Sequence, residues 1–152
     1  MYTLQKIVGD IKPVTVEAYR SVSFALDLMD KENIDALGVT FFNEFAGIFT
    51  RSDLFHKVIS KNLDPLKIII SEVMVFDVIR VEPDMSTKAA YGIMLKNNIS
   101  HLPVLKGNQF LGIVSEDNIR QDILALLNKA DSENRLIINY IYGESYGLSA
   151  SY

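Results

Sequence analysis

One short stretch occurs twice in the sequence, and it limits the possible fold more than any other feature. The first copy runs Gly47-Ile48-Phe49-Thr50-Arg51-Ser52-Asp53, and the second runs Gly112-Ile113-Val114-Ser115-Glu116-Asp117-Asn118. In both copies a glycine and two apolar residues precede a hydroxyl residue, and an apolar run follows the last residue. This order predicts a buried strand that ends at the hydroxyl residue, whose side chain then caps the first turn of a helix.

The first turn of each predicted helix carries groups that suit an anion and a sugar. The N-terminus of a helix has a partial positive charge and unpaired N–H groups, which together favour an anion such as phosphate. Asp53 and Asn118 follow the hydroxyl residues Thr50 and Ser115 by three positions, where their side chains can hydrogen-bond the paired hydroxyls of a sugar. Helix capping alone explains each residue taken singly, and two copies of the set at one spacing indicate a duplication.

The duplication extends through most of the chain. A shift of 65 residues (112 minus 47) aligns the two halves without a gap. Identical residues then coincide at apolar, capping and turn positions: Val16 with Val81, Ser21 with Ser86, Ala25 with Ala90, Met29 with Met94, Asn33-Ile34 with Asn98-Ile99, Leu37 with Leu102, Val39 with Val104 and Phe45 with Phe110. Self-similarity at a fixed offset indicates two copies of one structural unit.

Each half is predicted to fold in the order strand, helix, strand, strand, helix. In the first half, a short strand at residues 14–16 precedes a helix that has Ser21 as its N-cap and apolar residues at helical spacing. A hairpin over residues 37–49 follows, and the second helix begins after Thr50. We therefore divide the chain into a first repeat over residues 1–62, a second repeat over residues 63–127 and a tail over residues 128–152.

The tail lies outside the duplication. Asp131 or Ser132 is predicted to cap a separate short helix over residues 136–141. Four tyrosines then follow towards the end of the chain, at Tyr140, Tyr142, Tyr146 and Tyr152. Because tyrosine is enriched at protein interfaces, the tail is expected either to fold back onto the repeats or to form a dimer contact.

Composition excludes several classes of function. The net charge of -4 indicates no basic surface of the kind that binds DNA or RNA. The absence of cysteine excludes a disulfide framework and a thiol nucleophile, and with only two histidines we expect no metal site. The chain has no phosphate loop and no Ser–His pair at a recognisable catalytic spacing, so we expect no enzyme and no catalytic residues. It also has no signal peptide and no apolar run near the roughly 20 residues that span a membrane, so the cytoplasm is the expected location.

These features together resemble a tandem pair of cystathionine β-synthase (CBS) domains, also called a Bateman module. The resemblance covers about residues 5–127. It depends on the two repeated stretches, the order of predicted elements, the segment Glu72-Val73-Met74 and the segment Ile99-Ser100-His101-Leu102-Pro103-Val104. It implies an α/β (α+β) fold in which two β-α-β-β-α repeats pack about a pseudo-twofold axis, commonly as a homodimer.

The resemblance also implies a function. It implies a regulatory module that senses an adenine nucleotide (AMP, ADP or ATP) in the cleft between the repeats and acts on an unidentified protein partner by a change of conformation or assembly. No cofactor is required. The alternative is a structural dimerisation or assembly module, with clefts that are vestigial or that hold another adenosyl ligand such as S-adenosylmethionine or NADH. The Thr50/Asp53 pair favours the first hypothesis, whereas Glu116 and Asn118 favour the second.

Matching the family pattern position by position assigns roles to particular residues. Thr50 and Ser115 match the position near the phosphate, and Asp53 and Asn118 match the position that binds ribose. The residues that match the segments enclosing the base are Val14, Val16, Ala36, Leu37, Val39, Ile79, Val81, His101, Leu102, Pro103 and Val104.

Arginines near both hydroxyl residues are candidates for phosphate binding. Arg51 and Arg120 are the two candidates, and a guanidinium offers a bidentate fork to a phosphate. For Arg51, a solvated surface charge is an equally good interpretation. Because Glu116 occupies the second-repeat position of Arg51, we expect two unequal sites, of which the Thr50 site binds phosphate better.

Overall fold

The computed structural model describes the backbone of residues 2–146 and the side chains of residues 2–135. The chain divides into two compact units, one that ends at Glu116 and one that begins at Asp117. Among the described residues, no helix combines the length and the apolar character needed to span a membrane.

The first repeat forms a three-stranded sheet with helices at its ends. Its elements are α1 (Leu4–Gly9), β1 (Thr15–Glu17), α2 (Val22–Glu32), β2 (Ala36–Phe41), β3 (Glu44–Thr50) and α3 (Arg51–Asp53), which continues as a π-helical turn over Leu54–Ile59. The strand order is β1-β2-β3, with β1 parallel and β3 antiparallel to β2. The predicted order of elements is therefore confirmed for this half.

The second repeat follows the same plan. A 3₁₀ turn over Ile70–Glu72 precedes it, and its elements are α4 (Thr87–Asn97), β4 (His101–Lys106), β5 (Gln109–Ser115) and α5 (Glu116–Tyr146). The antiparallel pair β4-β5 has its irregularity between Val104 and Leu105, whereas β2-β3 has its own between Val39 and Thr40, 65 residues earlier.

The strand predicted around Val81 is reduced to a single parallel bridge with Val104. The N–H of Val81 donates to the carbonyl of Pro103 at 3.1 Å, and the N–H of Leu105 donates to the carbonyl of Val81 at 3.0 Å. In the first repeat the ladder has two more bonds: the N–H of Gly38 donates to the carbonyl of Val14, and the N–H of Ala18 donates to the carbonyl of Thr40. Pro103 and Pro83 occupy the positions equivalent to Gly38 and Ala18. Proline has no N–H, so neither bond can form in the second repeat and the strand stays short.

Helices α2 and α4 are both capped as the sequence predicts. The Ser21 hydroxyl accepts the N–H of Phe24 at 3.1 Å, and the Ser86 hydroxyl accepts the N–H of Ala89 at the same distance. Helices α2 and α4 end at Asn33 and Asn98, which have left-handed φ angles of 51° and 52°. Asparagine tolerates this conformation better than most residues, which explains the identical residue at both helix ends.

The segment that precedes each repeat in the chain forms hydrogen bonds with the other repeat. The carbonyl of Tyr2 accepts the N–H of Thr87 at the start of α4, and Leu4 donates to the carbonyl of Met85. In the same way, the carbonyl of Ile68 accepts the N–H of Val22 at the start of α2. Each leading segment therefore completes the other repeat, so neither repeat is self-contained in sequence.

The core of the first repeat also contains residues from the segment that precedes the second repeat. Its buried residues are Val16, Ala18, Val22, Ala25, Met29, Leu37, Val39, Phe49, Val58, Ile70, Val73 and Met74. The last three come from the segment that leads into the second repeat. Burying them against the first sheet stabilises the position of that segment.

The second unit contains helix α5 from Asp117 onward, and the prediction of a separate helix capped by Asp131 or Ser132 is wrong. Both residues lie inside α5: the Ser132 hydroxyl donates to the carbonyl of Asn128 at 2.8 Å, and Asp131 pairs with Arg135 at 3.3 Å. Residues 116–142 contain no glycine or proline. The free-energy cost of one Asp or Ser inside a helix is too small to end it. The tyrosine side chains of the tail lie outside the described residues, so its predicted contacts stay predictions.

Candidate functional site

The turn from β3 into α3 is held by a reciprocal pair of side chains. The Asp53 N–H donates to the Thr50 hydroxyl at 3.3 Å, while the Thr50 N–H and the Thr50 hydroxyl both donate to Asp53 Oδ2, at 2.9 and 3.0 Å. This is a capping box, with aspartate in the position where glutamate is usual. The bond from the Asp53 N–H to the Thr50 hydroxyl confirms the sequence prediction that Thr50 caps this helix. Both residues are only 8% exposed.

Lys57 joins this turn to the segment that leads into the second repeat. Its ammonium lies 3.0 Å from Asp53 Oδ1 and donates to the carbonyl of Val73 at 2.9 Å. Three of the roughly four acceptor positions of the Asp53 carboxylate are therefore occupied by groups of the protein. One position is left for a hydroxyl group of a ligand.

The other side of the site is built from the end of α4 and from the segment after Val75. Ile48 and Val75 exchange two backbone hydrogen bonds, of 3.1 and 2.9 Å, which place residues 75–79 beside β3. The left-handed Asn98 turns the chain out of α4, and the N–H of Ile99 donates to the carbonyl of Met94 at 3.0 Å. Residues 97–101 thereby form part of the same site.

These elements enclose a cavity of about 390 Å³, which we call the Thr50 cavity. Its volume lies within the range of about 300–1,000 Å³ that is typical of small-ligand sites. The lining residues are Ile48, Thr50, Ser52, Asp53, Val75, Asp77, Val78, Ile79, Asn97, Asn98, Ile99, Ser100 and His101. Aliphatic side chains can contact a flat base, and the hydroxyl, amide and carboxylate groups can bind a sugar.

The structure brings four of the predicted site residues together in this cavity: Thr50, Asp53, Ile79 and His101. Other predicted residues are buried in the protein core and do not line it: Val16, Leu37, Val39, Val81, Leu102, Pro103 and Val104. Val14 and Ala36 are half-buried and also lie outside its lining.

Arg51, the arginine predicted near phosphate beside Thr50, does not line the Thr50 cavity. The Arg51 guanidinium pairs with Asp35 at 2.9 Å, and its side chain is 73% exposed. Arg120 pairs with Asp117 at 3.1 Å within α5. The expectation that the Thr50 site binds phosphate better than the Ser115 site stays a prediction.

Ser115 and Asn118 occupy the same local positions in the second repeat. Ser115 ends β5, and Asn118 lies in the first turn of α5. The N–H of Glu116 donates to the carbonyl of Ser100 at 2.8 Å, as the N–H of Arg51 donates to the carbonyl of Asp35 at 3.0 Å. The two strand-to-helix turns are therefore built alike.

Sequence reasoning missed most of the cavity that faces Thr50. The missed residues are Ile48, Ser52, Val75, Asp77, Val78, Asn97, Asn98, Ile99 and Ser100. Asn98 and Ile99 were already marked by their identity with Asn33 and Ile34. Residues 75–78 carried no such signal, because their place beside β3 depends on the long-range pairing of Val75 with Ile48.

Comparison with known proteins identifies the family. The CBS domain profile matches residues 8–60 and residues 70–125, so the chain belongs to the CBS domain family and contains two copies of that domain. CBS domain pairs are commonly ligand-sensing regulatory modules.

Solved structures of CBS proteins are similar to this chain throughout both repeats. A putative signal-transduction protein with CBS domains from Burkholderia ambifaria has a TM-score of 0.76 and 29% identity, covering 81% of this chain and 94% of its own. The CBS domain pair of protein MJ0100, in complex with 5′-methylthioadenosine and S-adenosyl-L-methionine, has a TM-score of 0.74 and 26% identity, covering 82% and 98%. The predicted fold of two CBS-type repeats is confirmed.

One protein with a similar sequence is much longer than the region that aligns with this chain. An uncharacterised protein of Methanopyrus kandleri, MK0525, is 36% identical over 80 residues, which cover 52% of this chain. The alignment covers only 41% of that protein. The likeness therefore concerns the CBS domains and not a whole protein's activity.

Proposed function

We propose that this chain is a regulatory module that binds an adenine nucleotide or a related adenosyl ligand in the Thr50 cavity and passes the signal on by a change of conformation or assembly. The observation that carries the proposal is the convergence of Thr50 and Asp53 with the aliphatic residues Ile79 and Ile99 around one cavity. The nucleoside's base would contact the aliphatic side chains, and a ribose hydroxyl would donate to the acceptor position left on Asp53.

The MJ0100 domain pair supports the choice of ligand class, because its two ligands both contain adenosine. The Lys57 contacts support the regulatory role. A ligand hydroxyl that donates to the position left on Asp53 would weaken the attraction of that carboxylate for Lys57, whose ammonium also bonds the carbonyl of Val73 in the segment joining the two repeats. A ligand shifts such an equilibrium only by its difference in affinity for the two states.

The test is a binding series by isothermal titration calorimetry and thermal unfolding, with adenosine, AMP, ADP, ATP, S-adenosylmethionine and NADH, and with guanosine and GMP as controls. A ligand at a hundredfold excess over its dissociation constant stabilises the folded state by about 2.7 kcal/mol. We expect at least one adenine compound to bind and the guanine compounds not to bind. Failure of every adenine compound would refute the proposal.

A pair of variants locates the binding. Ile79→Glu places a charge on the lining of the cavity, and it should abolish binding without unfolding the protein because Ile79 is 38% exposed. Leu66→Glu is the matched control, since Leu66 is more exposed and does not line the cavity. Binding that survives in Ile79→Glu would place the ligand elsewhere.

The second candidate is an assembly module, and one observation favours it. The bonds of the Thr50/Asp53 pair are largely satisfied within the protein, as a purely structural turn requires. Analytical ultracentrifugation of the wild type and of Asp53→Ala distinguishes the two. A regulatory site predicts a homodimer that persists in the variant while ligand binding is lost, whereas loss of the dimer itself would favour the assembly module.

A further inference from the structure

The charges around the Thr50 cavity are unusual for a site that binds phosphate. Its charged or titratable lining residues are Asp53, Asp77 and His101, and none of the described residues that line it is lysine or arginine. Lys57 already neutralises Asp53 at 3.0 Å. The fixed charge that remains for a ligand is therefore the carboxylate of Asp77.

Asp77 lies at the exposed rim of the cavity. Within the described residues, no ion pair or hydrogen bond occupies its carboxylate. The residues beside it on the segment, Val75, Val78 and Ile79, are all apolar and contribute no compensating cation. Asp77 thus faces the cavity mouth with its charge available to attract or repel part of a ligand.

The nearby cations are held elsewhere. Arg51 pairs with Asp35 at 2.9 Å, and the guanidinium of Arg80 lies 5.1 Å from the ring centroid of Phe45. The end of α4 adds a charge of the same sign as Asp77, because the last carbonyl groups of a helix carry a partial negative charge. Asn97 and Asn98 at that helix end line the cavity.

The internal symmetry places a residue of opposite charge at the equivalent position of the first repeat. The position equivalent to Asp77 in the first repeat is Lys12, 65 residues earlier (77 minus 12), and the position equivalent to Asn97 is Glu32. Lys12 pairs with Glu32 at 3.0 Å. Between the repeats, the charge at this position has therefore changed sign.

We infer that the Thr50 cavity selects an adenosyl ligand whose group beyond the ribose is uncharged or cationic, and that Asp77 is the residue that disfavours phosphoryl groups. This inference rests on the proposed function, and it narrows the ligand class of that same site. A phosphate carries a charge of about -1.5 to -2 near neutral pH, so a terminal phosphate near Asp77 is repelled. An uncharged nucleoside is not repelled, and a sulfonium or ammonium group is attracted.

The experiment measures the affinities of adenosine, AMP, ATP and S-adenosylmethionine for the wild type and for Asp77→Lys by calorimetry. In the wild type we expect adenosine and S-adenosylmethionine to bind at least about tenfold more tightly than ATP, a difference of about 1.4 kcal/mol. Asp77→Lys, which introduces the charge found at Lys12, should raise the affinity for ATP by about tenfold or more while changing that for adenosine by less than about twofold. The gain should decrease as salt is added.

Asp27→Lys is the matched control. Asp27 is an exposed residue of α2 that does not line the cavity, and its substitution changes the net charge of the protein by the same amount. It should change the affinity for ATP by less than about twofold. An equal gain in Asp27→Lys would show a general charge effect and overturn the role of Asp77.

The outcomes separate this inference from the proposed function. If AMP or ATP binds the wild type more tightly than adenosine does, the inference is wrong and the proposed function stands. If no adenine compound binds, the proposed function fails and the inference fails with it. Thermal unfolding of each variant distinguishes a loss of ligand affinity from a loss of the folded state.

Discussion

Phe45 and Phe110 stack on each other, with ring centroids 5.1 Å apart and ring planes at 11°. Each is the equivalent of the other in the opposite repeat, because they are 65 positions apart (110 minus 45). Arg80 covers the ring of Phe45 at 5.1 Å, and Phe110 lies over Gly38, where an added Cβ would come within 2.8 Å of its ring. This pair thus joins the two repeats at symmetry-related positions.

Removing either ring should destabilise the protein. Both side chains are half-buried, so we expect Phe45→Ala and Phe110→Ala each to cost about 2 kcal/mol, less than the cost for a fully buried phenylalanine. A double-mutant cycle measured by urea unfolding should give a coupling energy of about 0.5–1.5 kcal/mol. Additivity of the two effects would show that the rings contribute separately.

Gly47 is required by a close approach of two backbone segments. A Cβ at this position would collide with the carbonyl oxygen of Val75, which is backbone and cannot turn away. We expect Gly47→Ala to cost about 2 kcal/mol by overpacking. Gly92→Ala is the control, because nothing lies within 4 Å of its added Cβ inside α4, and it should stabilise the protein by about 0.5–1 kcal/mol. Equal effects in urea unfolding would contradict this account.

The turn between β2 and β3 holds an aromatic residue in a left-handed conformation. Phe42 has φ of 49° and is 86% exposed. Its ring meets the ring of Phe41 edge-on, with centroids 4.5 Å apart, but Phe41 is also exposed, so this contact compensates little of the strain. Gly107 is the equivalent residue of the second hairpin, with φ of 60°. We expect Phe42→Asn to stabilise the protein by about 1 kcal/mol and Gly107→Phe to destabilise it by a similar amount. A melting temperature lowered in Phe42→Asn would show that the contact of this ring with Phe41 outweighs the strain.

The bond from Lys57 to Asp53 should matter more than the pair of Arg51 with Asp35. Lys57→Met leaves the nearly buried Asp53 carboxylate without its cation and the Val73 carbonyl without its donor. Because the Lys57 side chain is 37% exposed, we expect a cost of about 1–2 kcal/mol rather than the larger penalty of a fully buried pair. Arg51→Met should cost less than about 0.5 kcal/mol, since that pair is exposed. Equal costs in denaturant unfolding would show that burial of Asp53 is unimportant.

Features that depend on a few neighbouring residues could be predicted from the sequence. Ser21, Thr50 and the left-handed Asn33 and Asn98 act within four residues along the chain, so their patterns reveal them directly. The error in the tail has a related cause: Ser132 can cap a helix or lie within one, and its local sequence does not distinguish the two.

The sequence by itself determined the repeat and the local elements, because a shift of 65 residues and the capping patterns are properties of chain order. Only the tertiary structure decided which segment completes which repeat, that Arg51 pairs with Asp35 and Lys57 bonds the carbonyl of Val73, and that Asp77 faces the Thr50 cavity. These features depend on contacts between residues far apart in sequence. A charged side chain pairs with whichever group the fold brings within a few ångströms, and a one-dimensional pattern does not contain that distance.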